Sequence, residues 1–586
     1  MKWDLTKLYP TLEAWQAEYD RMEALIATMG TYQGQLGEYD KFHEYYQLQK
    51  DLGTNLIKVY QYAALLSDLN KKNTENAARV QKMSYLMSKL HQATAFEAPE
   101  LLALGKDKID SFIAKSDLLQ EYKFALEKLF RNQEHVLDQT SEAILANYSQ
   151  LANQGSEIYT ALTVADKVDK EVTLQNGETI TVTSGNYRSY LADLKDPEDR
   201  KTVFQAVFAQ YKDHKNAYAQ IYNTVLQSDI ATMKNRKYQS SLESYLFRNN
   251  IPEDVYHNLV AVAADSTDLI KRYYQMRTDY LGLDTHHTYD RFLPLATSKS
   301  KFTYDEAKDL FFASIAHLDE EFQAKAKSAL EDGYVDVYEQ DGKQTGAYSW
   351  GAVNEHPFIL LNYDDTLNNV FTLAHEAGHS MHSQFASETQ PVAMQNYTIF
   401  VAEIASTFNE HNLLDHFIKN SDTSKEDKIM LLQQAIDDIL GTFYRQTLFA
   451  SYELKAHELA EQGEPITYET LSQIMIDLYQ HYYDIDITAE DGKEFVWAYI
   501  PHLFYTPFYV YQYATSFAAS LKLYELVKDD PANIKHHINL LKSGGNDYPV
   551  NQVKNAGVDL TTKEAFEAVV HRLEELLDEL EVALKE

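Results

Sequence analysis

The stretch Leu373-Ala-His-Glu-Ala-Gly-His-Ser-Met-His382 determines how the chain around it must be arranged. It places His375 and His379 four residues apart, with Glu376 directly after the first histidine. Residues four apart lie one turn apart on the same face of an α-helix, so two imidazole rings can reach one metal ion. Glu376 projects beside that ion, where it can take a proton from an activated water and pass it to a leaving amine. The stretch therefore predicts a helix that carries part of a metal centre.

A catalytic zinc site uses three protein ligands and keeps one position open. Downstream, Glu403 and Glu410 lie seven residues apart and share one helical face that is otherwise apolar. A carboxylate on such a face needs a partner, and a zinc ion is a good one, so Glu403 is a candidate third ligand. Glu410 is a candidate to accept the free N–H of a ligand imidazole and fix its tautomer. The alternative for both is a solvated or salt-bridged glutamate.

Two further residues of the motif bear on this interpretation. The alternative to a metal centre is an amphipathic helix whose histidines are exposed to solvent. Gly378 argues against it, because a glycine inside a helix lowers stability by about 1 kcal/mol relative to alanine. A glycine is expected there if another part of the chain packs closely against the helix. His382 lies seven residues after His375, almost on the same face. As a fourth ligand it would close the site to water, so we expect it to support the ligands or to pack in the core.

The chain has 586 residues, a formal net charge of −35 and no cysteine. Thiolate-ligated metals, iron–sulfur clusters and disulfide scaffolds are therefore excluded. The charge argues against nucleic acid or an anionic membrane as a partner, because both would repel the protein. No apolar stretch reaches the ~18 residues of a membrane span, and residues 1–5 do not lead into the apolar segment of a secretory signal. We therefore expect a cytoplasmic protein.

Helical periodicity dominates the sequence, and only 20 glycines and 12 prolines interrupt it, which predicts a mainly α protein. Residues 172–182 alternate around Asn176-Gly177, which is a strong hairpin signal. Residues 334–363 contain strand-like runs and predict a small antiparallel sheet just before the motif. We place an N-terminal helical lobe that ends in the hairpin at residues 1–190, and the catalytic domain at residues 191–586.

Residues 497–513 form the densest aromatic run in a chain with 43 tyrosines. When water attacks a peptide carbonyl, negative charge develops on its oxygen, and neutral Tyr O–H or His N–H donors aimed there would stabilise it. His502 follows Ile-Pro on a turn, which favours such a role. The alternative for any single tyrosine in the run is aromatic core packing.

These motifs together resemble the oligoendopeptidase F family, within the thimet-oligopeptidase-like zinc metallopeptidases. The resemblance spans nearly the whole chain. Its segments are Trp3 to Pro10, Gly346-Ala347-Tyr348-Ser349, Pro357 to Asn362, His375 to His382, Glu403 to Glu410, Ile500-Pro501-His502, Ser543-Gly544-Gly545 and Ala556 to Leu560.

The resemblance implies a mainly α fold of two helical lobes that enclose a deep substrate channel, with one Zn²⁺ per chain at its floor. It implies cleavage of short peptides, because only an extended chain can enter. The implied zinc ligands are His375, His379 and Glu403, and the implied base is Glu376. His502 and tyrosines after it are the implied transition-state donors.

The resemblance also implies that a strand of the small sheet is the edge that pairs with the substrate backbone. Its residues are Phe358, Ile359, Leu360, Leu361 and Asn362.

The sequence departs from the thimet branch after His502. That branch has a glycine–tyrosine loop where this chain has residues 504–507, Phe-Tyr-Thr-Pro. The register of the donor tyrosines is therefore open. We choose Tyr505 and Tyr511, with Tyr509 and Tyr513 as the rival pair.

The sequence thus predicts a zinc-dependent endopeptidase that hydrolyses internal bonds of short oligopeptides. One alternative is a helical metallocarboxypeptidase, which would remove only terminal residues. Another is a non-catalytic peptide-binding scaffold with a vestigial metal site. Short peptides are the expected partners, with no nucleic acid and no membrane, and the sequence leaves the oligomeric state open.

Overall fold

The computed structural model describes residues 2–138, 140–142, 144–145, 151, 153–420 and 423–585. Within these ranges the protein is mainly α, with few and short strands, as the sequence predicts. None of the described helices is both long and apolar enough to cross a membrane.

The chain folds into two compact units, and each is assembled from three separate segments. The first unit comprises Met1–Glu134, Ser300–Lys419 and Ala519–Val558. The second comprises His135–Lys299, Asn420–Ala518 and Asp559–Glu586. The predicted sequence domains, 1–190 and 191–586, divide the chain differently, and that division stays a prediction. Sequence pattern shows where helical periodicity gives way to strand alternation along the chain. The two units are instead defined by tertiary contacts between segments that are distant in sequence.

The first unit begins with helices that surround a core of buried aromatic and aliphatic side chains. Thr11 caps the first helix, since its side chain accepts a hydrogen bond from the Ala14 N–H. Trp15 is 2% exposed and its indole N–H donates to the Val59 carbonyl, which joins the first two helices. The helices are Leu12–Gly30, Tyr39–Leu69, Thr74–Thr94, Glu97–Leu104, Lys106–Ile113, Asp117–Gln120 and Lys123–Arg131.

The rest of the first unit carries a three-stranded sheet and the helices that pack around it. Strand β3 is Val335–Tyr338, β4 is Tyr348–Trp350 and β5 is Phe358–Tyr363. The helices of this part are Tyr304–Ser314, Glu320–Ala329, Leu367–Thr389, Ile399–Lys419, Ile534–Lys542 and Pro549–Asn555, and the helix Tyr511–Asp529 belongs to this unit from Ala519 onward.

The strand order β3-β5-β4 puts β5 in the middle of this sheet. Strand β4 pairs with β5 antiparallel, as expected, whereas β3 pairs with β5 in parallel. The prediction that residues 358–362 form a free edge is therefore wrong, because β5 has a neighbour on each side. Its carbonyls also accept from distant side chains, Ile359 from the Trp3 indole at 2.8 Å and Leu361 from the Lys343 ammonium at 2.5 Å. The edge strand on the antiparallel side is β4.

The second unit contains the predicted hairpin, whose strands are β1, Lys170–Thr173, and β2, Thr179–Val182. Gly177 has a φ of +85° in the turn, which explains the Asn-Gly sequence there. The helices up to residue 299 are Gln154–Thr160, Tyr187–Asp193, Pro197–Asp213, Lys215–Arg236, Ser241–Phe247, Glu253–Asp265 and Asp268–Leu281. Those after residue 420 are Lys425–Asp438, Arg445–Glu461, Tyr468–Tyr483, Val496–Tyr499, His502–Tyr505, Tyr511–Asp529 as far as Ala518, and Glu564–Lys585.

A buried ion pair ties β3 to the loop that follows it. The Lys343 ammonium lies 2.6 Å from an Asp336 carboxylate oxygen, and the two side chains are 1% and 0% exposed. Lys343 also donates to the Tyr338 carbonyl at 2.7 Å. Since both charges lie in the core of the first unit, each depends on the other for compensation.

Replacing Lys343 by methionine should lower the free energy of unfolding of the first unit by about 3–5 kcal/mol, because Asp336 would keep a buried charge without its partner. Denaturant unfolding followed by circular dichroism measures this. Lys72→Met is the control, since Lys72 pairs with Asp341 at the exposed surface and should change stability by under about 1 kcal/mol. An unchanged unfolding curve for Lys343→Met would show that the buried pair does not matter.

Candidate metal centre

The helix Leu367–Thr389, here called the motif helix, carries the two histidines. Its inward face is buried in the core through apolar side chains that are at most 1% exposed, namely Val370, Leu373, Ala374, Ala377 and Met381. Burial of this face fixes the rotation of the helix about its axis. His375 and His379 are consequently held side by side on a partly exposed face.

The helix Ile399–Lys419, here called the crossing helix, meets the motif helix at Gly378. A Cβ atom at Gly378 would lie 2.5 Å from the Ala405 carbonyl oxygen and 2.6 Å from Ser406 Cα. Both are backbone atoms, so no side-chain movement could relieve the clash. Glycine at this position therefore lets the crossing helix come close enough for Glu403 to reach the histidines, which is the close approach that the sequence suggested.

The three predicted ligands converge. His375 Nε2 and His379 Nε2 are 3.2 Å apart, and each lies 3.4 Å from Glu403 Oε2. A tetrahedral zinc ion with ligand bonds of ~2.0–2.1 Å requires donor atoms ~3.3–3.4 Å apart. The spacing of the three donor atoms fits that requirement, and His, His and carboxylate is a donor set that zinc accepts. These residues could hold the metal.

Glu410 makes the contact expected of it. Its Oε1 lies 2.9 Å from His375 Nδ1, so that nitrogen donates to Glu410, and Nε2 is the nitrogen that would bind a metal. Burial disfavours the charged form of His375, but Glu410, Glu376 and Glu403 outweigh it and raise the pKa of His375 to about 9. Metal binding at Nε2 must therefore displace a proton.

The carboxylates of the centre differ in their environments. Burial alone would raise the pKa of Glu403, but His379 and His375 outweigh it and lower that pKa to about 2, which favours the anionic carboxylate that a metal ion would bind. Burial raises the pKa of Glu376, which is 6% exposed. Glu376 Oε2 has no hydrogen-bond partner among the described residues, so this oxygen can accept a proton.

His382 does not support the ligands by a hydrogen bond to any described residue. Its ring stacks on Tyr397, with centroids 3.5 Å apart and planes 5° apart. Burial lowers its pKa well below the usual value, and neither ring nitrogen has a described partner. Of the two roles expected for His382, core packing is the one that the structure favours.

His502 and the tyrosines after it belong to the second unit, described here by itself. Tyr513 O–H lies 3.4 Å from His502 Nε2, and the Tyr509 ring lies parallel to the imidazole at a centroid distance of 5.8 Å. The chosen pair makes other contacts. Tyr505 is 43% exposed and its hydroxyl lies 2.9 Å from Thr160 Oγ1. Tyr511 is 2% exposed, and its ring packs against that of Tyr256 with centroids 5.1 Å apart.

A backbone feature explains why the rival pair contacts His502. Phe508 has a φ of +53°, a left-handed conformation that sequence patterns do not predict for phenylalanine. Its N–H donates to Glu453 Oε1 at 2.7 Å, and Glu453 is 1% exposed. Burial raises the pKa of Glu453 to about 8. Sequence reasoning missed Glu453, since nothing in the helix Arg445–Glu461 marks it as a partner of a distant loop.

Comparison with known proteins identifies the family of the chain. Residues 190–571 match the family described as Peptidase family M3, and residues 100–167 match the one described as Oligopeptidase F. The chain belongs to peptidase family M3. Oligopeptidase PepF of Bacillus subtilis is 36% identical over 585 residues, which cover 99% of this chain and 87% of that protein.

Two solved structures of similar chains extend the comparison. A chain from Chlamydophila abortus is 35% identical and superposes with a TM-score of 0.91, covering 99% of this chain and 98% of that one. The oligoendopeptidase-F of Enterococcus faecium is 28% identical, with a TM-score of 0.74 and coverage of 98% and 99%.

As a member of family M3, the protein is a metal-dependent endopeptidase that acts on peptides. This confirms the prediction of an enzyme and disfavours both the carboxypeptidase and the scaffold. Neither the family nor the relatives indicate a nucleic acid or a membrane as a partner. The roles of the individual residues stay predictions.

Replacing Gly378 by alanine should lower metal occupancy and destabilise the protein by about 1–3 kcal/mol, because the crossing helix must move away from the motif helix. Metal content by mass spectrometry and the thermal midpoint measure the two effects. Gly441→Ala is the matched control, since a Cβ there would meet nothing within 4 Å. Full metal content in Gly378→Ala would show that metal binding does not require the close contact between the motif helix and the crossing helix.

Proposed function

We propose that this member of family M3 is a zinc-dependent endopeptidase that cleaves internal bonds of short oligopeptides. The single observation that carries the proposal is the spacing of the three donor atoms of His375, His379 and Glu403 beside the unpartnered oxygen of Glu376. The names of the relatives, oligopeptidase and oligoendopeptidase, support the substrate class. A cytoplasmic location and one zinc ion per chain stay predictions.

Zinc, when bound, supplies a Lewis acid that activates water and polarises the carbonyl of the substrate. The two imidazoles and the carboxylate of Glu403 would hold it. Glu410 would keep His375 in the tautomer that presents Nε2, and it would also stabilise positive charge on that ring. The protein thus contributes a fixed donor geometry before any substrate arrives.

Glu376 is the proposed general base. Its free Oε2 would accept the proton of the attacking water, and its buried carboxyl would then give that proton to the leaving amine. A raised pKa suits both steps, because the group must take up a proton and release it again.

His502, Tyr509 and Tyr513 are the proposed donors to the developing oxyanion. Burial lowers the pKa of His502, which favours a neutral imidazole that donates one N–H. The Tyr513 hydroxyl oxygen lies 3.4 Å from His502 Nε2, which would place the two proposed donors side by side. Donors fixed in advance stabilise charge without reorganising during the reaction.

We also propose that the substrate backbone pairs with β4 rather than with β5, because β4 is an edge strand of the sheet. The motif helix packs against β4, so a peptide added to this edge would run close to the metal ligands. One acceptor of β4 is already used, since Gln61 Nε2 donates to the Trp350 carbonyl at 2.7 Å. The pairing would therefore use the other backbone groups of Tyr348–Trp350.

Replacing Glu376 by glutamine should keep the bound metal and lower kcat by about 10²–10⁴-fold, since the amide cannot accept the proton. Hydrolysis of a quenched ten-residue peptide and metal analysis of the same sample test this. Glu388→Gln is the control on the same helix, because Glu388 pairs with Lys325 at the surface. Near wild-type hydrolysis by Glu376→Gln would disprove the assignment of the base.

Mass-spectrometric mapping of the products separates the endopeptidase from the carboxypeptidase. We expect internal cuts in the ten-residue peptide, whereas removal of residues one by one from the carboxyl end would favour the alternative.

Tyr513→Phe should lower kcat by about 10–10³-fold with little change in KM, because a donor to the oxyanion acts in the transition state. Tyr511→Phe is the matched control and should keep kcat within about twofold, since its ring packs against Tyr256. The reverse result would return the role to the pair chosen from sequence.

A further inference from the structure

The residues Pro507 and Phe508 join the short helix that begins at His502 to the helix that carries Tyr513. Proline followed by a residue with positive φ is the pattern of a type II β-turn, in which the second of these positions normally takes glycine or asparagine. Here that position is Phe508, with a φ of +53°. A bulky residue keeps such a strained conformation only where the surrounding structure holds it, and strained residues of this kind cluster at functional sites.

The backbone of Phe508 is held by a buried carboxyl group. Its N–H donates to Glu453 Oε1 at 2.7 Å, and Glu453 is 1% exposed. The second oxygen, Oε2, is also buried and has no hydrogen-bond partner among the described residues. Because a glutamate is almost never fully buried unless it is paired, the bond to Phe508 is the contact that accounts for an acidic residue at this place.

The side chain of Phe508 is held as firmly as its backbone. It is 3% exposed, and its ring centroid lies 4.5 Å from that of His457, 5.4 Å from that of Tyr245 and 6.0 Å from that of Tyr256. Two of these neighbours are fixed by Asp229, whose Oδ2 lies 3.0 Å from His457 Nε2 and whose Oδ1 accepts from the Tyr245 hydroxyl at 2.7 Å. The three rings come from three helices of the second unit, so Phe508 is anchored from several directions.

The helix on the His502 side of the turn has anchors of its own. The Ser156 hydroxyl donates to the Phe504 carbonyl at 2.7 Å, and the ring of Tyr159 stacks on that of Phe504 with centroids 3.9 Å apart. Both contacts come from the helix Gln154–Thr160. The position of His502 is therefore fixed without the help of Glu453.

The tyrosines beyond the turn depend on it. Tyr509 follows Phe508 directly, and the Tyr513 N–H donates to the Val510 carbonyl at 3.3 Å in the first turn of the next helix. A change in the backbone of Phe508 would therefore move Tyr509 and Tyr513 relative to His502. With the turn as it is, the Tyr513 hydroxyl oxygen lies 3.4 Å from His502 Nε2.

We propose that Glu453 is a positioning residue for the reaction, whose bond to the Phe508 N–H places Tyr509 and Tyr513 beside His502. The inference rests on the proposed function of these three residues as donors to the oxyanion. Glu453 acts through them and need not contact the substrate. Donors stabilise developing charge only if they are in place before the reaction, so their displacement lowers kcat and leaves substrate binding intact.

Replacing Glu453 by methionine tests the proposal on the metal-loaded full chain. Methionine keeps an unbranched side chain of similar length but cannot accept the Phe508 N–H. We expect kcat for a quenched ten-residue peptide to fall by about 10–100-fold, with KM changed by less than about threefold. Glu453→Gln keeps a carbonyl oxygen for the same N–H and should restore kcat to within about fivefold of the wild type.

Glu490→Met is the matched control for a merely structural effect. Glu490 is also a buried glutamate of the second unit, at 5% exposed, and it accepts from the Thr288 N–H at 2.8 Å. Thr288 lies in a segment that carries none of the proposed donors. This variant should lose stability, as Glu453→Met does, but keep kcat within about twofold once folded and loaded with metal. Equal losses of kcat in Glu453→Met and Glu490→Met would overturn the proposal.

Two variants of Phe508 test the turn without altering Glu453. Phe508→Gly and Phe508→Ala both remove the ring and keep the N–H, but only glycine adopts a positive φ without steric cost. We expect kcat to be about 5–20-fold higher in Phe508→Gly than in Phe508→Ala, with similar KM. Equal kcat in the two variants overturns the proposal, whether or not Glu453→Met folds.

The variant Tyr513→Phe separates this proposal from the proposed function. In the Tyr513→Phe background, Glu453→Met should lower kcat by a smaller factor than in the wild type, because one of the donors that Glu453 positions is already lost. A loss of the same size in both backgrounds contradicts the role of Glu453. Unchanged kcat in Tyr513→Phe alone contradicts the donor role of Tyr513 and with it this proposal. Lowered kcat in Tyr513→Phe beside unchanged kcat in Glu453→Met contradicts only the role of Glu453.

Discussion

The contact between two helices at Gly378 is the constraint on which the metal centre depends. The motif helix carries two of the proposed ligands, and the proposed third, Glu403, must bring a carboxylate oxygen to within ~3.4 Å of both imidazoles. This requires the crossing helix to pack closely against the motif helix. Without a Cβ at Gly378, the Ala405 carbonyl can lie against the motif helix, and Glu403 arrives one turn away on the crossing helix. Glu410, two turns further on, reaches the other side of His375 from the same helix.

Much of this arrangement could be predicted because it is encoded locally. The spacing of His375 and His379 is helical, and the seven-residue interval between Glu403 and Glu410 repeats one face of a helix. The hairpin around Gly177 also followed from its turn residues. In each case the residues that form the pattern and the local structure that they predict lie within about ten residues of one another. Helical periodicity and turn chemistry are therefore enough to predict that local structure.

The features that the sequence did not reveal depend on contacts between distant residues. The resemblance implied that β5 is an edge strand, and the sequence of β5 could not correct this, because it says nothing of β4 or of the Trp3 and Lys343 side chains that donate to its carbonyls. The sequence also leaves open which tyrosines after His502 contact that histidine, because it does not reveal the positive φ of Phe508 or the bond from its N–H to buried Glu453. No short-range pattern reports a hydrogen bond between residues that are 55 positions apart.

The assembly of each unit from three segments has a consequence for biogenesis. Residues 1–134 leave the ribosome long before residues 519–558, which complete the same unit, and the second unit awaits the helix Glu564–Lys585. Contacts so distant in sequence carry a high loop-closure cost and form late. Nascent chains of this protein therefore expose unfinished apolar surfaces through most of translation, and they should depend on chaperones that bind such surfaces until synthesis ends.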